Sequence, residues 1–302
     1  MNDYICKICN QKIEANNHFF KNHKLTQSEY FEHHEPRLTK TGQKVIFKNI
    51  DTYFTTEFND IKERNNWVKY NIEEAKIYFV QKLIDRKEKK KLTHTLSEIE
   101  LKLLDLPKIA WFDKNFEIGY YKICKGLNYQ NKYSAKYPKI DLTEHINIII
   151  DSREQSPLKF PPHITTIIEK LNYGDMSLVM NQKVSVDRKT LSDMAGTMSA
   201  GFERFERELQ RAKDEKGYLV LLVEESFNNF KAIPYLPHTK QIKASPEFLM
   251  KRMRMLYEEF DNFQICFTDG RTHAAKVVEF ILKVGESIKK VDIQLLIDTK
   301  II

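Results

Sequence analysis

The sequence predicts a multidomain protein of three parts, in which a small cysteine- and histidine-rich segment and an all-α module precede an α/β domain. Residues 1–38 are polar and contain two of the four cysteines, and residues 39–130 carry apolar side chains at three- and four-residue spacing. In residues 144–302, continuous apolar runs alternate with longer amphipathic stretches, which is typical of an α/β domain with a largely buried sheet. Residues 131–143 break both patterns and are predicted to form a linker.

The composition is that of a globular protein. Hydrophobic residues make up 41% of the 302 residues and charged residues 30%, which excludes a collagenous or wholly disordered chain. No run approaches the roughly 18 consecutive apolar residues of a membrane span, and Met1 to Tyr4 do not resemble a signal peptide. Four cysteines are too few for a disulfide framework and indicate thiols in a reducing compartment. We therefore expect a cytoplasmic protein with no membrane partner.

The excess positive charge lies in the first half of the chain. The net charge is +7, and residues 1–140 carry 26 Lys and Arg against 18 Asp and Glu, whereas the remaining residues carry 23 against 24. This asymmetry indicates that the first half contacts a polyanion while the second half has another task. The alternative is a lysine-rich surface that is simply exposed to solvent.

The first part contains the spacing of a zinc site. Cys6 and Cys9 are separated by two residues, and His18 and His23 by four, which are the spacings that a tetrahedral Zn²⁺ ion requires. So short a segment cannot bury enough apolar surface to fold alone, whereas structural zinc supplies roughly 10–16 kcal/mol of binding free energy. We therefore predict a zinc finger rather than an incidental cysteine pair.

The segment also resembles a known type of finger. With eight residues between Cys9 and His18, it is similar to the compact Ros/MucR-like zinc finger, and residues 24–31 match the ending of that motif, which also occurs in fingers attached to phage endonucleases. His33 and His34 are alternative ligands. The ligands do not determine whether such a finger contacts DNA or only stabilises the protein.

Short helices with tight turns are predicted in the second part. Thr95 to Glu98 form a capping box for a helix that ends near Leu104, and Pro107 suits the first turn of a second helix over 108–115. A turn then leads into a third helix over 120–127. The pattern indicates a helix-turn-helix arrangement and resembles a small helical repeat of homing endonucleases.

Basic residues of this part are candidates for phosphate contacts. Lys122, Lys125 and the run 86–91 could contact DNA phosphates, and the alternative is a helix surface exposed to solvent. The aromatic residues have the spacing of a buried helical stripe, so we predict that they belong to the core. They are Trp111, Phe112 and Phe116.

Carboxylates follow or precede the predicted strands of the third part. Asp151 ends one apolar run, Asp175 precedes another, and Asp187 and Lys189 close a third, with a short turn at 181–183 between the last two. Charge at a strand end is costly unless it is paired or binds metal. Clustered carboxylates suit Mg²⁺, which also accepts a substrate phosphate oxygen, and a nearby lysine can orient the nucleophile. The spacing has the form of the D…(D/E)xK signature of nucleases.

Further residues in the same order strengthen this interpretation. Together, over about 144–285, they resemble the nuclease domain of XPF/Hef-type endonucleases, a branch of the restriction-endonuclease-like fold with a mixed central sheet. The segments that carry the resemblance are Asp151-x-Arg153-Glu154, Gly174-Asp175-Met176, and Asp187-Arg188-Lys189 followed by Asp193. The helix over 201–209 also looks like the family's arginine-bearing helix.

The resemblance implies roles for individual residues. Asp151, Asp175 and Asp187 would bind Mg²⁺ or Mn²⁺, and Lys189 would orient the attacking water or stabilise the phosphate. The residues implied to brace the site or to contact phosphate are Arg153, Glu154 and Arg188. Asp187 departs from the usual glutamate, which shortens the reach of the carboxylate by one methylene. Residues 286–302 are too short for the tandem helix-hairpin-helix domain that often follows, so we expect DNA recognition without it.

Two features have plain structural alternatives. Thr190 and Asp193 can form a helix-capping arrangement, and Arg204 and Glu208, four residues apart on a helix, can form a surface ion pair.

The sequence thus predicts a Mg²⁺-dependent DNA endonuclease that a zinc finger and a helical module position on duplex or branched DNA. The combination is similar to phage or mobile-element nucleases, which implies the cytoplasm of a bacterial host, and the XPF resemblance implies DNA repair or recombination. Cutting both strands would require a homodimer or a second binding event. The alternatives are a non-catalytic DNA-binding protein with a degenerate nuclease fold, which the aspartate at 187 permits, and an RNA-directed nuclease.

Overall fold

The computed structural model describes residues 6, 8–11, 18–25, 37–38, 44–45, 68, 71–131, 140–141 and 143–302. They belong to two compact units, residues 1–82 and residues 83–302. The predicted alternative ligands His33 and His34, the motif ending over 26–31 and most of the linker lie outside the described residues. The predicted domain boundaries stay predictions.

The first unit contains short elements and the start of a long helix. Helix α1 spans His18–His23, and the strands β1 (Arg37–Leu38) and β2 (Lys44–Val45) pair antiparallel. Helix α2 (Ile72–Lys90) begins in this unit and ends in the second. Its first turn is acidic and its last turn is basic, which suits the dipole of a helix.

The second unit opens with the three short helices that the sequence predicts. They are α3 (Glu98–Leu103), α4 (Ile109–Asn115) and α5 (Gly119–Gly126). The first begins later than expected, because Ser97 rather than Thr95 is the cap: its hydroxyl accepts the backbone N–H of Glu100. Of the predicted core aromatics, Phe112 is fully buried, whereas Trp111 and Phe116 are partly buried.

Two basic residues of the run 86–91 are interior residues, so they cannot contact phosphate as expected. The guanidinium of Arg86 donates to both carboxylate oxygens of Glu100, at 2.8 and 2.6 Å, and its side chain has no exposed surface. The hydroxyl of Tyr257 donates to the same carboxylate. Lys90 donates to the carbonyl oxygen of Phe260, and burial lowers the pKa of Lys90 to about 7. The spacing of apolar residues in the helices did not predict the burial of Arg86 and Lys90. Both side chains are long enough to reach the interior from a polar face of the helix.

A six-stranded mixed sheet forms the centre of the second unit, as predicted. Its order is β4-β3-β5-β6-β7-β8, and the neighbouring pairs are parallel except for β3–β5 and β5–β6, which are antiparallel. The strands are β3 (Ile146–Asp151), β4 (Ile164–Glu169), β5 (Met176–Leu178), β6 (Val184–Lys189), β7 (Tyr218–Val223) and β8 (Phe263–Phe267). Strand β7 is buried along its whole length, which explains its continuous apolar side chains, whereas β6 is buried up to Arg188 and ends in three charged residues.

Helices cover both faces of the sheet. One face packs with the last two helices in a cluster that includes Ile150, Val186 and Leu222. The other face packs with helices that follow β6, for example through an edge contact between Phe205 and Phe263. The helices after β6 are α6 (Leu191–Met198), α7 (Phe202–Asp214), α8 (Phe227–Lys231), α9 (Pro246–Glu259), α10 (Arg271–Val284) and α11 (Ile293–Asp298).

The segment 286–302 belongs to this core. A 3-10 helix over Gly285–Lys290 leads into α11, and the side chain of Gln294 accepts the backbone N–H of Phe267 at 2.7 Å. The N–H of Ser97, which lies just before α3, donates to Asp292 at 3.3 Å. Residues 286–302 are therefore hydrogen-bonded both to β8 and to the start of α3.

The remaining cysteines are interior residues, as predicted. Cys124 and Cys266 are both buried, and burial raises the pKa of the Cys124 thiol to about 11. Among the described residues, no helix has the length and apolar character to cross a membrane.

Candidate active site and metal centre

Three aspartates form a row across neighbouring strands. Met176, which follows Asp175, pairs both with the residue before Asp151 in β3 and with the residue before Asp187 in β6. The N–H of Asp151 donates to the carbonyl oxygen of Asp175 at 2.8 Å, which continues the pairing by one residue. Because side chains alternate between the faces of a sheet, all three aspartates lie on the face opposite the cluster around Met176.

Asp187 has a buried carboxylate with an unsatisfied oxygen. The residue is 1% exposed, its Oδ1 accepts the ammonium of Lys189, and its Oδ2 has no hydrogen-bond partner. Burial, followed by the neighbouring charge of Asp175, raises the pKa of Asp187 well above its usual range. Burial alone would lower the pKa of Lys189, but the two carboxylates outweigh this effect and raise it. The lysine therefore stays protonated beside the aspartates.

Asp175 is held by the backbone around it. Its N–H donates to the carbonyl oxygen of Val186, and its Oδ2 accepts the N–H of Arg188, both at 2.8 Å. The preceding Gly174 has φ +71°, and a Cβ there would lie 2.8 Å from the Cβ of Ser185. Only glycine suits this position, because it combines a left-handed conformation with close contact to β6.

The carboxylate of Asp151 is hydrogen-bonded to Arg153 through both of its oxygens. Its Oδ1 accepts the N–H and Nε of Arg153 at 2.8 and 2.7 Å, and its Oδ2 accepts Arg153 Nη2 and the N–H of Leu171 at 2.9 and 2.7 Å. Burial would raise the pKa of Asp151, but these hydrogen bonds lower it to about 2. Asp151 thus lies in the row but directs its oxygens to Arg153, whose side chain is 65% exposed.

Arg188 lies on the other face of the sheet. It donates through Nη2 to both oxygens of Glu154 at 3.0 Å, and its Nη1 lies 2.8 Å from Oε2 of Glu224. The side chains of all three are at most 10% exposed. These contacts join the loop after β3 to the ends of β6 and β7.

Glu224 and Glu208 are two residues that the sequence reasoning missed. Glu224 directly follows β7, so the rule that selected Asp151 and Asp187, a carboxylate at a strand end, could have found it. Glu208 was expected to pair with Arg204 on the surface of α7. Its Oε1 instead accepts the N–H of Gly174 at 2.8 Å. This contact joins residues 34 apart, and no local pattern indicates it. The helix cap expected from Thr190 and Asp193 is present at the start of α6. The hydroxyl of Thr190 donates to Oδ2 of Asp193 and accepts the backbone N–H of the same residue.

The predicted zinc ligands come together in the first unit. The potential ligand atoms of Cys6, Cys9, His18 and His23 all lie within 4.8 Å of one another. Cys6 Sγ lies 3.2 Å from Nε2 of His23, and Cys9 Sγ lies 3.5 Å from Nε2 of His18. Burial and the nearby His23 lower the pKa of His18, which favours the neutral imidazole that binds metal.

Two features of this group fit zinc. Its ligands are two thiols and two imidazoles, the softer set that zinc prefers over Mg²⁺. A turn at Ile8 and Cys9 supports the cysteines, and the N–H of Asn10 donates to the carbonyl oxygen of Cys6 at 2.7 Å. Among the described residues, the potential ligand atoms of the three aspartates do not all lie within 4.8 Å of one another, unlike those of this group.

The family match lies in the second unit. Residues 150–281 match the family model of the ERCC4 domain. The chain carries an ERCC4 domain. The match spans less than half of the chain, and it includes the aspartate row, Lys189 and Glu208. The predicted resemblance to an XPF-type nuclease domain is therefore confirmed for this region. No match was found among curated proteins.

Two solved structures are similar to about half of this chain. XPF from Aeropyrum pernix in complex with DNA is 20% identical, with a TM-score of 0.37, and the similarity covers 49% of this chain and 68% of that chain. A second structure of XPF from Aeropyrum pernix is 19% identical, with a TM-score of 0.36, over 51% of this chain and 68% of that chain.

Proposed function

We propose that this chain is a DNA endonuclease that depends on Mg²⁺ or Mn²⁺ and uses the ERCC4 domain to hydrolyse phosphodiester bonds. The observation that carries the proposal is the buried Oδ2 of Asp187, a carboxyl oxygen without a hydrogen-bond partner at the end of the aspartate row. Ionising a carboxyl buried in this way is costly unless a cation balances the charge. The ERCC4 match supports nuclease chemistry as the use of this site.

The donor set suits a hard divalent cation. Asp175 and Asp187 provide carboxylate oxygens, the ligands that Mg²⁺ and Mn²⁺ prefer, and Asp151 lies next in the row. When bound, the ion would neutralise charge on the phosphate and increase the acidity of a water molecule. Asp151 can contribute an oxygen only after Arg153 releases it, because both of its oxygens are engaged.

The remaining groups have roles that follow from their positions. Lys189 holds a proton beside Asp187 and can donate it in a hydrogen bond to the attacking water or to a phosphate oxygen. Arg153 has a largely exposed guanidinium, which can exchange the carboxylate of Asp151 for a substrate phosphate. Arg188 and Glu154 keep the strand ends in place from the opposite face.

We propose that the first unit and the short helices bind the DNA. Cys6, Cys9, His18 and His23 would hold a structural zinc ion, and the helices would contribute exposed lysines to phosphate contacts. Those lysines are Lys122 and Lys125 on α5. A phage or mobile-element origin, a cytoplasmic location and a homodimer that cuts both strands belong to the same proposal.

A cleavage assay tests the proposal. Purified full-length protein is incubated with duplex, flap and single-stranded DNA, and with RNA of the same sequence, in Mg²⁺, Mn²⁺ or EDTA. Lys189→Ala and the matched surface variant Lys170→Ala are assayed beside it. We expect cleavage with either metal, none in EDTA, and loss of activity in Lys189→Ala alone. Binding of DNA without cleavage in any metal would instead support the non-catalytic alternative, and cleavage of RNA but not DNA would support the RNA-directed one.

A further inference from the structure

Glu208 adds a fourth carboxylate to the aspartate row. It projects from α7, which packs on the face of the sheet that carries the aspartates. Its Oε1 reaches the backbone N–H of Gly174, the residue before Asp175, although α7 follows the nuclease motif by more than a dozen residues. Its charge adds to the effects of burial and of Asp175, which raise the pKa of Asp187.

Glu208 also anchors the turn that presents Asp175. Its Oε1 accepts the N–H of Gly174, a buried group that lies next to Asp175 in the chain. The Gly174 backbone is confined on its other side by β6, where Ser185 leaves no room for a Cβ. The turn is therefore fixed between a strand and a charged side chain from a helix, and the position of Asp175 depends on both.

The formal charge of the side chains around the aspartate row equals that of one divalent cation, with opposite sign, only when Glu208 is included. When all four carboxyl groups are ionised, Asp151, Asp175, Asp187 and Glu208 are opposed by Arg153 and Lys189, which leaves a formal charge of −2. Without Glu208 the residual charge would be −1. A charge of −2 matches one divalent cation, and the unsatisfied Oδ2 of Asp187 is an independent sign that a cation belongs there.

We propose that Glu208 is a positioning residue of the metal site, which anchors Gly174 and supplies the negative charge that balances the divalent cation. This inference rests on the proposed function, because it concerns the same site. Hydrogen bonding by Oε1 and the negative charge are separate contributions, and two substitutions distinguish them. Glu208→Gln keeps an oxygen that can accept the Gly174 N–H, whereas Glu208→Ala removes both the acceptor and the charge.

Binding of Mn²⁺ to the zinc-loaded full chain, measured by electron paramagnetic resonance without DNA, tests the proposal. Asp187→Asn defines the binding that belongs to this site, and Glu203→Gln, an exposed residue in the first turn of α7, is the charge-matched control. We expect Glu208→Gln to weaken Mn²⁺ binding by about tenfold at an unchanged melting temperature, as supporting groups of metal sites typically do. Glu208→Ala should weaken it at least as much and also lower the melting temperature.

Cleavage kinetics provide the second measurement. Glu208→Gln should lower kcat by about tenfold or more and leave KM for DNA unchanged, because Glu208 faces the metal site rather than the DNA-binding helices. Equal Mn²⁺ affinity in Glu208→Gln and Glu203→Gln would overturn the proposal and leave Glu208 as a hydrogen-bond acceptor only. If the wild type binds no more Mn²⁺ than Asp187→Asn does, both proposals are overturned. Mn²⁺ binding that depends on Glu208, in a protein that does not cut DNA, would support this inference while refuting the nuclease.

Discussion

Removing the charge of Asp187 should stabilise the metal-free protein while it abolishes catalysis. Asp187→Asn keeps the shape of a side chain that is 1% exposed and removes the charge on an oxygen that has no partner. The asparagine amide is equally buried but neutral, and an unsatisfied buried charge costs more than the roughly 1–3 kcal/mol of a neutral polar group. From this difference we expect, in EDTA at neutral pH, a gain on the order of 1–3 kcal/mol in the free energy of unfolding. Lys189 loses its partner but keeps the charges of Asp175 and Glu208 nearby.

The gain should depend on pH in a defined direction. The pKa of Asp187 is raised in the folded protein, so the folded state retains a proton that the unfolded state releases above about pH 3.8. The stability that the protonated carboxyl provides is complete below that pH and is lost as the pH rises through the raised folded value. The difference between Asp187→Asn and the wild type should therefore be small near pH 4 and grow toward pH 8.

The melting temperature in EDTA measures this effect. Each kcal/mol corresponds to roughly 2–4 °C for a domain of this size, so we expect Asp187→Asn to melt about 2–12 °C above the wild type at pH 8. Adding Mg²⁺ at about 100 times its Kd should stabilise the wild type by about 2.7 kcal/mol and leave Asp187→Asn unchanged. The exposed Asp261→Asn is the control and should stay within about 0.5 kcal/mol of the wild type.

The opposite result would refute the reasoning. If Asp187→Asn melts below the wild type in EDTA at pH 8, the ion pair with Lys189 outweighs the cost of the buried charge. If Mg²⁺ stabilises both proteins equally, the ion does not bind at Asp187, and the proposed role of the aspartate row is wrong.

Three further predictions concern other parts of the chain. Arg86→Met should lower the free energy of unfolding by about 3–5 kcal/mol in urea, because it leaves a buried carboxylate unpaired, whereas the exposed Lys89→Met should change it by less than about 0.5 kcal/mol. Cys6→Ser should abolish stoichiometric zinc in a metal analysis and sharply weaken DNA binding, without changing Mn²⁺ binding at the aspartate row. Arg153→Met should raise the folded pKa of Asp151 from about 2, so that stability present above about pH 4 is lost earlier as the pH falls in an acid titration followed by circular dichroism.

Much of the ERCC4 domain could be predicted from local sequence patterns. The apolar run of β7 is continuous, and those of β3 and β6 are short runs interrupted by Asn147 and Ser185, because strands buried on both faces carry few polar side chains. The carboxylates at their ends stood out for the same reason, since charge next to such a run needs a partner. The spacing of Cys6, Cys9, His18 and His23 was equally informative, because the geometry of zinc limits the spacings that a short loop can adopt.

Other assignments required the folded chain. Arg86 and Lys90 occur in a lysine-rich run that suggests a solvent-exposed helix, and only packing against Glu100 and Phe260 makes them interior residues. Arg188 stands between two candidate site residues in the sequence, yet the alternation of the strand places it on the opposite face of the sheet.

The sequence by itself determined which residue types end the strands and which spacings suit a metal, because both are constraints within a few residues of one another. Only the tertiary structure decided which of those residues face one another. The strand order β3-β5-β6 aligns Asp151, Asp175 and Asp187, and the packing of α7 brings Glu208 to Gly174. Such contacts join residues far apart in the chain, and their energy depends on burial and charge that exist only after the sheet and helices have packed.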